Sequence, residues 1–388
     1  MEITSTTSLP KALSPRLLAA EFFAGIGLVR TALEQAGIDV VFANDIEPVK
    51  HRLYSANHPD EHFVLADVRR IAGGDLPDIH IATASFPCTD LSLAGNRAGL
   101  DGSESSMFWE FARILDEMGD RRPPVILLEN VPSFATSRDG NDLAAALREL
   151  NRLGYSCDVF LMDASWFVPQ SRPRLFVVGT TRPVEPTTDW SPSPLRPEWL
   201  LRFMSRNPDL AWCDMATPAP LPAQKTLRSI VERLRSADPR WWDGERAERF
   251  LQSLSPLQAM RLQTMEHARR KTWATAYRRT RRGRAVWEIR GDALSGCLRT
   301  PRGGSSRQAL VEAGRGQWRV RWMTPREYAR LQGADGYELA DVTDNQAMFG
   351  FGDAVCVPAV VWVARHCLRP AAESAIAYSA RSALTKAA

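Results

Sequence analysis

The 388-residue sequence predicts an α/β fold, a doubly wound and mostly parallel sheet joined to a second, smaller irregular domain. Between residues 17 and 181 short, nearly continuous apolar runs alternate with stretches of helical periodicity. Continuous apolar strands suit a sheet covered on both faces, and strand–helix alternation makes such a sheet parallel. After Thr181 that alternation stops and a proline- and serine-rich connection leads into a basic, tryptophan-rich segment.

In chain order the predicted strands are LLAAEFFAG, VVFAND, HFVLAD, DIHIATASF, PVILLEN, YSCDVFLMDA and RLFVVGT. The segments LVRTALEQAG, PVKHRLYSANH, SMFWEFARILDEMG and DLAAALRELNRLG carry the 3.6-residue period of helices. TTRPVEPTTDWSPSPLRPEW is a connection, and the chain then stays irregular to about Val320, with glycine turns such as Pro301-Arg302-Gly303-Gly304. Thr324-Pro325-Arg326-Glu327 is a capping-box helix start with proline at the first helical position. AVCVPAVVWVARHCL resumes the apolar character of the first domain, and the alanine- and serine-rich tail after Pro370 reads as frayed.

Composition narrows the function classes. No run reaches the roughly 18 consecutive apolar residues of a membrane span. The N-terminus, MEITSTTSLPKALSP, lacks the order of a signal peptide and reads as a flexible arm. A cytoplasmic location is therefore expected. Six cysteines without a C-x-x-C pair argue against both a disulfide framework and a zinc site. His58 and His62 lack a third ligand nearby, so no metal is expected. Net charge is only +4, yet between Arg261 and Arg290 ten basic residues face only Glu266 and Glu288. Trp273, Tyr277 and Trp287 are interleaved, which points to a polyanion-binding surface as readily as to a solvated face.

The first strand closes on Phe23-Ala24-Gly25-Ile26-Gly27-Leu28, where glycines allow close approach of a ligand at the carboxyl end of the sheet. The second and third strands end in Asp45-Ile46 and Asp67-Val68. Strand-end carboxylates accept hydrogen bonds from ribose hydroxyls. Without a G-x-G-x-x-G phosphate grip, S-adenosylmethionine fits better than a dinucleotide. That Asp45 and Asp67 only cap the following helices is an equally open reading.

The ordered set SFPCTDLS, ILLENV, QSRPR and MTPREYARLQG resembles the cytosine-5 DNA methyltransferases over residues 17–181 and 321–369. The resemblance implies the Rossmann-like doubly wound mixed sheet of S-adenosylmethionine-dependent methyltransferases, with a smaller target-recognition domain. Residues 1–15 would be a flexible arm, 16–181 the catalytic, S-adenosylmethionine-binding domain and 182–320 the target-recognition domain. Residues 321–370 would return to the catalytic domain, leaving 371–388 as a flexible tail.

The implied reaction moves a methyl group to carbon 5 of a flipped-out cytosine in duplex DNA and releases S-adenosylhomocysteine. Cys88, alone readable as a small buried hydrophobe, becomes the nucleophile that adds to carbon 6. Glu129 would protonate ring nitrogen 3, and is otherwise a capping carboxylate. Arg174 would meet the base carbonyl, with Arg172 shaping the loop or meeting phosphate; both are otherwise surface arginines. Phe23, Gly25, Gly27, Asp45, Ile46, Asp67, Val68, Pro87, Asp353 and Val355 carry over as donor contacts. Trp109 would lie near the sulfonium or in the core. Arg278, Arg281, Arg302 and Arg307 are candidate DNA contacts.

The chain departs from the family pattern at Ser85, Thr89, Leu28, Asp45 and Asp353, the last placing a negative charge beside the donor site. Duplex DNA is the expected partner, a cognate restriction endonuclease would act separately, and a nucleoid-associated monomer is expected. Transfer RNA as substrate and a DNA-binding regulator with weakened catalysis are the alternatives; a small-molecule methyltransferase would not need residues 182–320.

Overall fold

The structure, a computed structural model, describes residues 15–87, 107–182, 190–215, 219–220, 225–281, 283–300 and 307–387. Its first part alternates β1 (Leu17–Phe22), α1 (Leu28–Gln35), β2 (Ile38–Asp45), α2 (Pro48–Ser55), β3 (Phe63–Leu65) and β4 (Ile81–Ala84). There follow α3 (Met107–Glu117), β5 (Val125–Asn130), α4 (Asn141–Arg152), β6 (Ser156–Asp163) and β7 (Pro173–Thr180). These strands form a seven-stranded sheet in the order β3-β2-β1-β4-β5-β7-β6. Only β7 runs against its neighbours β5 and β6, so the sheet is mixed.

Residues of β4 and β5 are buried throughout, because both faces are covered. The pleat splits the core: Leu17 and Ala19 face one hydrophobic cluster, while Ala20 and Phe22 face another. Strand order reverses between β1 and β4, which opens a crevice at their carboxyl ends.

Beyond α5 (Glu198–Arg206), α6 (Gly244–Gln252) and α7 (Pro256–Glu266) the expected irregular domain contains regular structure instead. Strands β8 (Thr272–Arg281), β9 (Arg284–Ile289), β10 (Ala309–Gly314) and β11 (Gln317–Trp322) form an antiparallel sheet in the order β11-β10-β8-β9. Ala274 and Ala276 point inward from β8 to Phe250, Leu262 and Val311, while Arg278–Arg281 extend into solvent.

The predicted capping box starts α8 (Pro325–Leu331): Glu327 donates its amide to Thr324 Oγ1 at 3.2 Å and accepts that of Thr324 at 3.0 Å. Arg321 and Glu327, both 0% exposed, pair at 2.5 and 2.8 Å and tie β11 to α8. Three further helices, α9 (Asp344–Asp353), α10 (Val357–Val363) and α11 (Arg369–Ala387), return to the first sheet. The tail expected to fray after Pro370 is thus helical: alanine favours helix, and its small side chain lets Ala372 and Ala375 bury against the body. Asp344–Arg381 contains a window apolar enough to span a membrane, but 67% of that window is buried, as befits core helices.

Candidate active site

A cleft of about 420 Å³ opens where β1 to β5 end. Phe23, at φ 58°, and Gly25, at φ 57°, take left-handed backbone conformations as the chain leaves β1. Asp45 holds this loop: its Oδ2 accepts the Gly25 amide at 2.8 Å and its Oδ1 that of Glu47 at 2.9 Å. Phe23, Gly25, Asp45, Ile46, Asp67, Val68, Pro87, Asp353 and Val355 all contribute to the cleft wall. Gly27 does not. It sits at φ 76° beneath His58, whose ring would lie 2.6 Å from any added Cβ, so its role is close packing.

Capping and cleft-lining prove compatible for the strand-end carboxylates. Asp67 accepts the Arg69 amide at 3.0 Å and also binds the Arg69 side chain, whose hydrogen bonds hold the carboxyl below its usual range. Ile46 offers an apolar surface at the rim, 58% exposed. Trp109 lies outside the cleft wall, 38% exposed and packed on Phe108, so it is neither core nor part of this cleft.

The inner end of the cleft carries Glu129, at the close of β5, and Arg174, at the start of β7. Arg174 Nε stands 2.8 Å from Glu129 Oε1, an electrostatic contact rather than a well-aimed hydrogen bond. Asn130 donates to the Phe86 carbonyl at 3.3 Å, and Phe86 packs on Phe108 and Phe134. The loop that leads into Cys88 is therefore anchored as far as Pro87; Cys88 itself lies outside the described residues.

Arg172 is not part of the wall. It is 2% exposed and donates to the carbonyls of Leu298 (2.9 Å), Gly352 (3.1 Å) and Ala354 (2.6 Å). It thus shapes a junction between distant segments and is no surface arginine.

Sequence reasoning missed Lys50. Its ammonium pairs with Asp353 at 2.9 Å on the cleft wall and also faces Asp45 and Glu47. Burial works against the charge, but Asp353 and Asp45 outweigh it and raise the lysine above its ordinary range. The extra negative charge of Asp353 is thereby balanced. No signal links two positions 303 residues apart before the fold joins them.

Of the candidate DNA contacts, Arg278 is exposed on β8, and Arg281 pairs with Glu288 at 2.8 Å. Arg307 lies half-buried over the Trp322 ring at 5.2 Å, and Arg302 falls outside the described residues. Among the described residues no three ligating side chains gather as a metal site.

A mixed sheet with a crevice at its switch point and a separate antiparallel sheet give the chain the fold of the S-adenosylmethionine-dependent methyltransferases. The model of the C-5 cytosine-specific DNA methylase family matches residues 18–369, and the chain belongs to that family. It is a DNA (cytosine-5-)-methyltransferase. The Type II methyltransferase M1.ScrFI of Lactococcus lactis subsp. cremoris is 29% identical over 356 residues, 90% of this chain and 77% of that protein. M.NlaX of Neisseria lactamica, also a Type II methyltransferase, is 27% identical over 349 residues, 88% of this chain and 92% of its own. The S. pombe Dnmt2 methyltransferase structure shares the fold, with TM-score 0.58 and 18% identity over 92% of this chain and 99% of its own.

Proposed function

We propose that this enzyme methylates carbon 5 of a cytosine extruded from a specific duplex sequence, through a Cys88 adduct, as the modification arm of a Type II system. The observation that carries the proposal is the Glu129–Arg174 pair, 2.8 Å apart at the inner end of a cleft walled by Asp45 and Asp67. The cleft suits S-adenosylmethionine in size and chemistry. Ile46 offers apolar surface for the adenine and Asp45 a ribose acceptor, while Lys50 and Asp353 offer both charges to the amino-acid end. When bound, S-adenosylmethionine supplies an electrophilic methyl group and leaves as S-adenosylhomocysteine.

The chain's own residues make carbon 5 nucleophilic. The Cys88 thiolate forms a bond to carbon 6, and the displaced electron pair moves toward ring nitrogen 3. A proton delivered there by Glu129 prevents charge from building up on the ring. Arg174 holds the neighbouring carbonyl oxygen and, by contact, the Glu129 carboxyl. Once carbon 5 carries the methyl group its proton passes to water, the nitrogen 3 proton returns to Glu129, the double bond re-forms and the thiolate leaves. Residues 182–320 would grip phosphates, with Arg278 facing solvent for that purpose.

Incubation with labelled donor and either duplex DNA or transfer RNA tests the reading. Label is expected on cytosine in DNA; label on transfer RNA alone, or on neither, overturns it. Cys88→Ser should abolish transfer yet still bind DNA, and a 5-fluorocytosine duplex should give a complex stable to denaturation.

A further inference from the structure

Behind Arg174, outside the cleft wall, lies a thiol that this chemistry does not use. Cys297 Sγ is 3.3 Å from Arg172 Nη1 and 4.0 Å from Arg174 Nη2. Its segment is pinned to the loop, residues 169–171, that leads into Arg172 and β7. Ser171 donates its amide to Ser295 O at 2.9 Å, and Ser295 donates its own to Pro169 O at 2.7 Å. The Leu298 amide reaches Gln170 Oε1 at 3.1 Å, and Gln308 holds Gly296 from the other side. The thiol cannot drift from the guanidiniums.

Charge balance asks for an anion at this spot. Arg172 is buried, and among the described residues its hydrogen bonds run to carbonyls and to Cys297, none to a carboxylate. Glu129 meets Arg174, and Asp353, the next carboxylate, is held by Lys50. Arg299 adds a further positive charge from the thiol's own segment. Arg172 thus carries its positive charge into the interior with no carboxylate against it among the described residues. Buried charge without compensation is costly.

The other described cysteines behave differently. Cys157, Cys213, Cys356 and Cys367 are buried, and burial pushes their thiols up, Cys356 to about 12. Burial acts the same way on Cys297, but Arg172, then Arg174 and Arg299, outweigh it and bring the thiol below its ordinary range.

We propose that Cys297 is a thiolate counter-ion of Arg172 and Arg174, a positioning residue that holds the Arg174 guanidinium against Glu129. As a thiol it has, among the described residues, the Leu298 carbonyl to donate to, at 3.4 Å; as a thiolate it accepts from two cations. The inference rests on the reading of Glu129 and Arg174 as the base-binding pair.

Two measurements test it. In a Cys88→Ser background, the thiolate absorbance at 240 nm that Cys297→Ser removes should titrate well below pH 8.5; titration at or above about 8.5, the range of a free cysteine, overturns the proposal. In the otherwise native enzyme, kcat should rank Cys297→Asp above Cys297→Ser and Cys297→Ala. The serine variant should lose about tenfold in kcat with KM for donor and DNA unchanged. Serine ranking above aspartate overturns the proposal, since packing alone would give that order. Should the aspartate variant fail to fold, the titration still decides. If the native enzyme fails to methylate cytosine, the functional reading falls while the titration still reports the state of Cys297.

Discussion

Along the cleft of the first sheet charges meet mostly in one-to-one pairs, Lys50 with Asp353, Arg69 with Asp67 and Arg174 with Glu129; on the second sheet one carboxylate serves several cations. Glu288 takes both Arg279, at 3.2 Å, and Arg281, at 2.8 Å. Glu312 takes both Lys271 and Arg319, each at 2.8 Å. The ten-to-two charge count of the sequence therefore overstates the free positive charge of that surface. Arg278 on β8 and Arg284 on β9 have no carboxylate partner among the described residues. Counting charges says how much a segment carries; only pairing says how much it presents.

Substitutions probe both sides of this contrast. Glu129→Gln removes a proton donor from the cleft side and should lower kcat by about 10² to 10⁴, with DNA affinity retained. A gel-shift titration beside single-turnover kinetics would show whether binding and chemistry separate in this way. Arg321→Met leaves Glu327 as a buried charge without its cation where β11 meets α8 and should cost about 3–5 kcal/mol in a denaturant melt.

Glu21, buried on β1 beside Arg30, adds a pH dependence. Burial raises its pKa from 4.5 to about 8 despite the opposing pull of Arg30. The folded protein thus holds a proton that the unfolded chain releases above about pH 4.5. Its contribution to stability is complete below pH 4.5 and is lost as pH rises toward 8. Glu21→Gln should melt several degrees above the native protein at pH 8 and close to it at pH 4.5, by differential scanning calorimetry. The smallest effect belongs to Glu288→Gln. Freed of their partner, Arg279 and Arg281 should strengthen non-specific DNA binding a few-fold and steepen its salt dependence by up to about one charge per arginine.

The first sheet was legible because its strands are nearly continuous in apolar residues and its helices keep a clear period. All seven predicted strands and the four helices between them form where their patterns lie. The second sheet was not. On β8 only Ala274 and Ala276 mark the inward face, and four polar residues from Arg278 to Arg281 hide the alternation. Its partner β10 lies beyond a further loop, so no hairpin turn announces the pairing. The cleft carboxylates, Glu129 and Arg174 could be read from strand ends and an ordered set of motifs. Lys50 and Cys297 could not, since each acquires its meaning from a partner more than 100 residues away.

The order in which the chain is made has its own consequence. Helix α1 leans on α10, and the core between them is shared with Tyr328, Phe351 and Val360. At a synthesis rate of 5–20 residues per second, roughly 15–60 s would separate the emergence of α1 from that of its cover. During that interval Leu28, Ala32 and Leu33 can rest on the first sheet but lack the cover that α10 supplies. Folding that waits for its last fifth of sequence is slow to commit and exposed to aggregation, which favours low temperature and slow expression as the route to native protein.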